Sequence, residues 1–463
     1  METHVRTWPS RLVARPWLLA FVPINAATSG FGVALPLFIL ISLHGAWVDV
    51  AIAAALFNGA VILASIVWGY LSDRFPTRRK FLLINFAGFA VLYVVIGAFP
   101  SLPLLFVAYT AVGLIAPAGA SASNLLILER FDESERPNAF ASFQEMSILG
   151  AMAGLLVGFV WLLEAQPIGP LLFALAALAA VSVVAVWVGV RDAPGRLTTA
   201  SVARHPESLM ARIRPSAPSH IPIPFFPHHP RLRRGSIVRF RRWAREELHH
   251  ELPLIFAAGF LFNLSANLFN ISYTPYLYSL GLAGASIFLV NFANNLAQGA
   301  SFPASGSLTS RQGADHLVQR ATYVRSLGYL AVAGFTFVPL AVGSAFGANA
   351  VAFGVLGGGI AFYSTSSSII LFRALRGRDA GRLLGLNSAL GGLAAVGGAV
   401  LSGVLAYVGS YRLTFLVSAG ALLASLPLWT AAQVAYAKRR SGSAAPPPSP
   451  EARRPTVAAA ETD

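Results

Sequence analysis

Long apolar segments alternate with short polar turns along almost the whole sequence. Each segment is close to or above the roughly 20 residues that an α-helix needs to cross a bilayer. The segments cover residues 17–43, 46–72, 81–99, 102–128, 139–163, 168–190, 252–280, 284–308, 321–343, 346–372, 381–409 and 411–436. Only 11% of the residues are charged, against about a quarter in a typical soluble protein. The pattern predicts an all-α membrane protein with twelve transmembrane helices.

The positive charges report the orientation of these segments. Net charge is +15, which in a soluble protein would indicate a nucleic-acid partner. Here Lys and Arg follow every second segment or sit at the termini, and only Arg412 falls in a turn on the opposite side. Because cytoplasmic loops carry the excess of Lys and Arg, we expect a multi-pass protein of the cytoplasmic membrane with both termini in the cytoplasm. No nucleic-acid partner is expected.

The chain divides into two halves with a polar connection. We assign residues 1–190 to an N-terminal six-helix bundle, 191–250 to a cytoplasmic linker, 251–437 to a C-terminal six-helix bundle and 438–463 to a disordered tail. In the linker, Leu232, Phe240 and Trp243 stand among arginines. This favours a basic helix on the inner leaflet, with Arg231–Arg245 on anionic lipid headgroups; a disordered charged run is the alternative.

One short polar turn is repeated in the second half. After the second segment the chain reads Gly-x-Leu-x-Asp-Arg, with Asp73 at its centre, and bases follow it. Ser310 occupies the corresponding position after the eighth segment. The residues of these turns and of the turns before segments five and eleven are Gly69, Leu71, Asp73, Arg74, Arg78, Arg79, Arg136, Gly306, Arg311, Gly313, Arg378 and Gly381.

These motifs resemble the loop signature of the major facilitator superfamily, which lies between that family's second and third helices. The resemblance covers the twelve segments and implies two pseudo-symmetric six-helix bundles with the substrate path between them, working by alternating access. It places Asp73 beside the start of the eleventh helix near Gly381, and pairs Arg78 and Arg74 with Glu129 or Asp132. It also implies that Gly69 allows close helix approach.

The same resemblance gives the motif residues, Glu129 included, a role in gating rather than in substrate choice. Pro76 and Thr77 depart from the family pattern, so the latch is expected to be weakened or shifted. The alternative is a positive-inside turn that merely contains an aspartate.

Polar side chains inside the segments are the candidates for contact with a solute. Such residues usually face protein or a water-filled cavity, and carboxamides both donate and accept hydrogen bonds. The candidates are Asn25, Thr28, Tyr109, Asn263, Asn267, Asn270, Tyr273, Asn291, Asn294, Asn295, Gln298, Tyr363, Thr365 and Asn387. They favour a polar, uncharged solute, whereas hydrogen bonding between helices would explain them without any solute.

Acidic residues within the segments are few. Glu145 lies in the inner third of segment five and Asp49 at the outer start of segment two. A proton-coupled carrier needs a group that titrates as access alternates, so Glu145 and Asp49 are the candidates; uniport is the alternative. No cofactor, metal site or enzymatic activity is expected, and the protein is expected to be a monomer.

Three functions are compatible with the sequence. The first is a secondary transporter of a small organic solute, and the second is a proton-coupled exporter of hydrophobic drugs. The third, from another class, is a non-transporting receptor or scaffold that uses residues 231–250 to bind a partner.

Overall fold

The computed structural model describes residues 16–75, 77–131, 136–192, 251–375 and 380–443, and these form twelve long helices without a strand. In the first half, α1 covers Phe21–Leu37 between a 3₁₀ turn at Pro16–Ala20 and a π-helical turn at Phe38–Ser42. It is followed by α2 Trp47–Arg74, α3 Arg78–Ala98, α4 Leu102–Arg130, α5 Arg136–Leu163 and α6 Ile168–Gly189. In the second half follow α7 Leu252–Ser279, α8 Gly284–Gln312, α9 Ala314–Phe335, α10 Val342–Leu375, α11 Ala380–Tyr407 and α12 Tyr411–Ser443.

The two halves repeat one packing scheme. In the first, α1 packs against α5 and α6, α2 against α4, and α3 against α4 and α6. The second half repeats these pairs as α7 with α11 and α12, α8 with α10, and α9 with α10 and α12. The halves meet mainly where α2 packs on α11 and α5 on α8, which are equivalent contacts under the repeat. The predicted fold class, twelve helices in two pseudo-symmetric sets of six, is confirmed.

Ten of the described helices are long and apolar enough to cross a membrane. Large apolar side chains such as Leu63, Ile66 and Val351 point outward, as lipid-facing residues do. The two described helices that are less apolar than this are α8 and α9. The first carries several amides, and the second carries Arg320 and Arg325. These polar and charged side chains lower the mean hydropathy of α8 and α9.

The structure corrects the ninth predicted segment, 321–343. Helix α9 begins at Ala314, directly after Gly313 with its φ of +86°, and ends at Phe335. Residues 336–341, which are apolar except for Thr336, belong to the connection that follows. This shift places Arg325 in the middle of a helix, whereas the sequence pattern placed it at a helix end.

Two further boundary predictions concern the connections. Helix α12 continues to Ser443, so residues 438–443, which were assigned to the disordered tail, are helical. The predicted lipid-binding segment 231–250 and most of the linker lie outside the described residues.

Candidate functional site

A cavity of about 260 Å³ lies where the two halves meet. Helices α1 and α5 contribute to it from the first half, and α7 to α10 from the second. Val33, Leu155, Phe353 and Leu356 form its apolar wall. The other lining residues include asparagine, tyrosine and arginine side chains, so the cavity is suited to a solute with both apolar and polar surface.

Several of the predicted cavity residues line this space: Asn270, Tyr273, Asn291, Asn294 and Asn295. The amides of Asn291 and Asn295 donate to carbonyl oxygens one turn back in their own helix, at 2.9 and 3.1 Å. Asn294 donates across to the Phe353 carbonyl of α10 at 2.7 Å. The hydroxyl of Tyr273 donates to Asn349 at 3.2 Å. The amide nitrogens of Asn291, Asn294 and Asn295 thus have protein acceptors, and their amide oxygens remain to accept from a solute.

The remaining predicted residues are not part of its lining: Asn25, Thr28, Tyr109, Asn263, Asn267, Gln298, Tyr363, Thr365 and Asn387. For several of these the packing explains why. Asn267 packs against Gly398 of α11, where a Cβ added to the glycine would lie 2.9 Å from the Asn267 Cβ. Asn25 packs in the same way against Gly150 of α5. Tyr109 stacks on Phe57 with ring centroids 4.7 Å apart.

Two more of these residues make contacts inside the second half. Tyr363 stacks on Phe262 with ring centroids 3.4 Å apart. Thr365 shares a hydrogen bond of 2.9 Å with Ser305 of α8. The Thr365 contact is the hydrogen bonding between helices that is the alternative to solute binding, whereas Tyr363 is held by aromatic stacking.

Four polar residues of the lining were not predicted from the sequence, namely Ser29, Thr274, Arg325 and Tyr329, and of these Arg325 alone is charged. It is only 2% exposed, yet it lines the cavity together with Tyr329 of the same helix. Its Nη2 donates to the Tyr329 hydroxyl at 2.6 Å, and its guanidinium lies 4.9 Å from the Phe262 ring centroid. The available signal was the Gly313 turn, which sets where α9 begins and therefore how deep Arg325 lies.

We use the term basic end for the end of the molecule that carries Arg74, Arg78 and Arg373, and far end for the opposite one. At the basic end Arg78, the first residue of α3, donates to Glu129 near the end of α4 at 2.8 and 3.0 Å. Both side chains are under a tenth exposed. This is one of the pairings that the loop motif implied, and it joins two helices of the same half.

The second half contains an equivalent ion pair with the charges exchanged. Arg373 at the end of α10 donates to both carboxylate oxygens of Asp315, at the start of α9, at 2.6 and 2.7 Å. The pair is more exposed than the first. Each half is thus tied at the basic end between equivalent helices, α3 with α4 and α9 with α10.

Other bases near this end bind the last turn of α6 and the residues that follow it. Arg79 donates its backbone N–H to Asp192 at 2.8 Å and its side chain to the Trp187 carbonyl. Arg130 donates to the Arg191 carbonyl. Burial lowers the pKa of Arg130, and the carboxylate of Asp192 acts in the opposite direction.

The structure describes the surroundings of only some of the predicted gating residues. The side chains of Asp73, Arg74 and Arg136 and the whole of Arg378 lie outside what the structure describes, and so do the contacts of Gly381 in the first turn of α11. A Cβ at Gly69 or Gly306 would meet no described atom within 4 Å, so the expected close helix approach at Gly69 is not seen. Leu71 packs on the apolar core. Arg311 is exposed in the last turn of α8, which Gly313 terminates.

Close contact between the halves is found at the far end. Trp47, at the start of α2, stacks on Tyr411 of α12 with centroids 4.2 Å apart, and its indole N–H donates to Ser402 of α11 at 3.2 Å. Phe288 of α8 fills the space left by Gly158 of α5. The far end of the interface is therefore closed in this structure.

The two proton-coupling candidates have different surroundings. Asp49 accepts a hydrogen bond of 2.7 Å from the Ala46 backbone N–H and so caps the start of α2. Glu145 is half-buried in α5 and makes no hydrogen bond or ion pair with another described residue. Capping accounts for Asp49 without any role in coupling.

Twelve helices in two repeats around a cavity that both halves line are the architecture of a membrane transporter. The family profile of the Major Facilitator Superfamily matches residues 17–371 and 255–461. The chain therefore belongs to the Major Facilitator Superfamily, whose members are transporters rather than enzymes. No match is found among curated protein sequences.

Solved structures with a similar fold are also transporters. The nucleoside transporter NupG superimposes with a TM-score of 0.63 at 13% identity, covering 91% of this chain and 98% of NupG. A bacterial homologue of the human lysosomal transporter Spinster, in an inward-facing and unoccupied conformation, gives a TM-score of 0.60 at 13% identity, covering 93% and 98%. At such low identity the similarity concerns the fold alone.

Proposed function

We propose that this protein is a secondary transporter that carries a small polar organic solute across the cytoplasmic membrane by alternating access. The observation that carries the proposal is the cavity of about 260 Å³, which both halves line and into which several amides project. A binding site between two repeats is where transporters of this architecture hold their solutes.

The chemistry of the cavity wall supports a polar solute. Asn270, Asn291 and Asn295 present amide groups, which accept from hydroxyl and N–H groups of a solute. Each such bond contributes about 0.5–1.5 kcal/mol, and the apolar wall around Phe353 buries the rest of the molecule. A solely apolar drug would leave these amides unpaired on binding, which argues against the drug-exporter alternative.

The ends of the molecule give the proposed direction of opening. Because basic residues mark cytoplasmic loops, the basic end is assigned to the cytoplasm together with both termini. The far end, closed by Trp47 on Tyr411, is then the outer gate. The loop motif around Asp73 is assigned to the inner gate, as the family resemblance implies.

Proton coupling is assigned to Glu145 rather than Asp49. Glu145 is half-buried and has no partner among the described residues, whereas Asp49 is held by the Ala46 backbone N–H at the start of α2. The monomer, and lipid contact by Arg231–Arg245, stay predictions from the sequence.

Flux into proteoliposomes tests the proposed function. Purified full-length protein would be reconstituted and offered labelled sugars, nucleosides, amino acids, small organic acids and lipophilic cations, with and without a pH gradient. Saturable uptake of a polar member is expected, and Glu145→Gln is expected to remove the effect of the gradient. Transport of the lipophilic cations alone, or no flux of any member, would overturn the proposal, and the latter would favour the receptor or scaffold.

A further inference from the structure

Arg325 lies where an arginine is costly. It is at the middle of α9, it is 2% exposed, and it lines the cavity between the halves. A charged side chain within a membrane protein usually pairs with an opposite charge or serves a bound ligand. The surroundings of Arg325 distinguish these two cases.

Two other arginines within the described part of the chain have acidic partners. Arg78 is paired with Glu129, and Arg373 with Asp315. Arg325 has no carboxylate within ion-pair distance among the described residues, and no acidic residue lines the cavity. Its positive charge is therefore not neutralised by the described protein.

The contacts of Arg325 orient the guanidinium without neutralising it. Nη2 donates to the Tyr329 hydroxyl at 2.6 Å, and Nη1 makes a long contact of 3.4 Å with the Leu356 carbonyl. Nε has no acceptor among the described atoms. The rings of Phe262 and Tyr329 lie 4.9 and 5.5 Å from the guanidinium, where their π-faces attract a cation.

The neighbouring helix is shaped to admit the Arg325 side chain. A Cβ at Gly359 of α10 would lie 2.7 Å from the Arg325 Cγ, which is closer than packed carbon atoms allow. One turn and a half earlier on the same helix, a Cβ at Gly354 would meet its nearest neighbour at an ordinary 3.8 Å. The lack of a side chain at Gly359 thus gives the arginine stem its path.

We propose that Arg325 binds an anionic group, a carboxylate or a phosphate, of the transported solute. This rests on the proposed transport function and narrows the polar solute to a water-soluble organic anion, in place of the uncharged solute that the sequence favoured. The planar guanidinium offers paired N–H donors that match the geometry of such groups. The cavity amides then bind the uncharged part of the same molecule.

Binding of matched neutral and anionic compounds tests the assignment. Thermal unfolding of the purified full-length protein would be followed with lactamide and lactate, nicotinamide and nicotinate, glucose and glucuronate, and uridine and uridine monophosphate. At least one anionic member is expected to bind about tenfold or more tightly than its neutral partner. Arg325→Gln is expected to abolish that preference and Arg325→Lys to keep part of it, since lysine retains the charge without the fork.

Two glycine variants show whether a lower affinity comes from displacing Arg325 or from damaging the fold. Gly359→Ala keeps the charge but displaces the side chain, so it is expected to lower the affinity for the anion. Gly354→Ala, on the same helix, is expected to leave that affinity unchanged. Arg412→Gln removes an exposed arginine that lies 3.8 Å from the Phe337 ring, and it controls for net charge.

The outcomes distinguish the two proposals. Equal affinity within every pair, or a preference that survives Arg325→Gln, would overturn the assignment of Arg325 and leave transport of a polar solute standing. Failure of every compound to bind or to be carried would count against both. If only phosphatidylglycerol, and not phosphatidylcholine, stabilises the protein in an Arg325-dependent manner, the anion is a lipid headgroup, and the water-soluble solute is excluded.

Discussion

Asn267 and Asn291 make the same local hydrogen bond and differ in what their helices face. Each donates its amide to the backbone carbonyl four residues earlier, at 2.9 Å. Asn291 opens on the cavity, whereas Asn267 packs against Gly398. Spacing along a helix identifies which residues share a face, but it does not identify the neighbour of that face. The difference between the two asparagines is therefore a property of the packing.

This difference predicts opposite effects of two alanine substitutions. Asn291→Ala is expected to weaken binding of the transported solute by about 0.5–1.5 kcal/mol, or roughly two- to tenfold, because one hydrogen bond is lost. Asn267→Ala is expected to leave affinity within twofold of wild type. Equilibrium binding by thermal shift measures both. If Asn267→Ala weakens binding as much as Asn291→Ala does, the assignment of the cavity wall is wrong.

At the scale of the helices, the two ion pairs at the basic end show how the halves repeat. Arg78 with Glu129 joins α3 to α4, and Asp315 with Arg373 joins α9 to α10. The loop motif implied the first pair. It gave no indication of the second, because the acid and the base have exchanged helices. The two halves thus share an ion pair between equivalent helices, but the acid and the base stand on opposite helices in the two halves.

Removing one partner of the buried pair is expected to be more harmful than removing both. Arg78→Leu leaves the Glu129 carboxylate buried and should cost about 3–5 kcal/mol of stability. The double variant Arg78→Leu with Glu129→Leu should recover much of that loss, and Arg373→Leu, at the more exposed pair, should cost less. Unfolding in detergent measures all three variants. A double variant no more stable than Arg78→Leu would contradict the explanation.

The contact between α1 and α5 depends on the absence of a side chain. A Cβ at Gly154 would overlap the Ala26 carbonyl oxygen of α1, so the two backbones touch as small residues permit in membranes. The regular spacing of Gly150, Gly154 and Gly158 is visible in the sequence, whereas their partners on α1 and α8 are not.

Gly154→Ala is therefore expected to lower stability by about 1–3 kcal/mol or more through overpacking. Gly259→Ala is the matched control, because a Cβ at Gly259 would meet nothing within 4 Å. That change should be neutral or stabilising, since alanine favours a helix over glycine by about 1 kcal/mol. The thermal midpoint and the folded yield report both effects, and equal losses in the two variants would refute the close approach.

Hydropathy located most helices, but it failed at α9. The apolar residues after Thr336 extended the predicted segment past the true end, and the polar residues between Asp315 and Arg320 concealed its beginning. A helix can carry polar residues on the face that packs against other helices, because protein and not lipid surrounds them there. Arg325 lies on that face of α9, whereas Tyr323 and Leu327 are exposed. Arg325 was therefore missed because it is charged, and its charge is also what makes it informative about the solute.

For the whole molecule, the repeat and the family membership account for the two halves and the cavity between them. The halves touch at the far end through α2 with α11 and α5 with α8. Alternating access requires these contacts to separate while those at the basic end form. The even number of predicted segments and the duplicated motif were sufficient to predict this architecture, but not which end is closed here.

A reversible cross-link at the far end tests alternating access most directly. An ideal Cβ at Gly403 of α11 lies 3.4 Å from the Ala51 Cβ of α2, close to the roughly 3.8 Å found in disulfides. The chain contains no cysteine, so Ala51→Cys with Gly403→Cys introduces a single thiol pair. Solute flux would be measured in proteoliposomes after oxidation and again after reduction, with each single variant as a control. The account predicts that flux is lost in the oxidised double variant alone and returns on reduction; wild-type flux through fully cross-linked protein would contradict it.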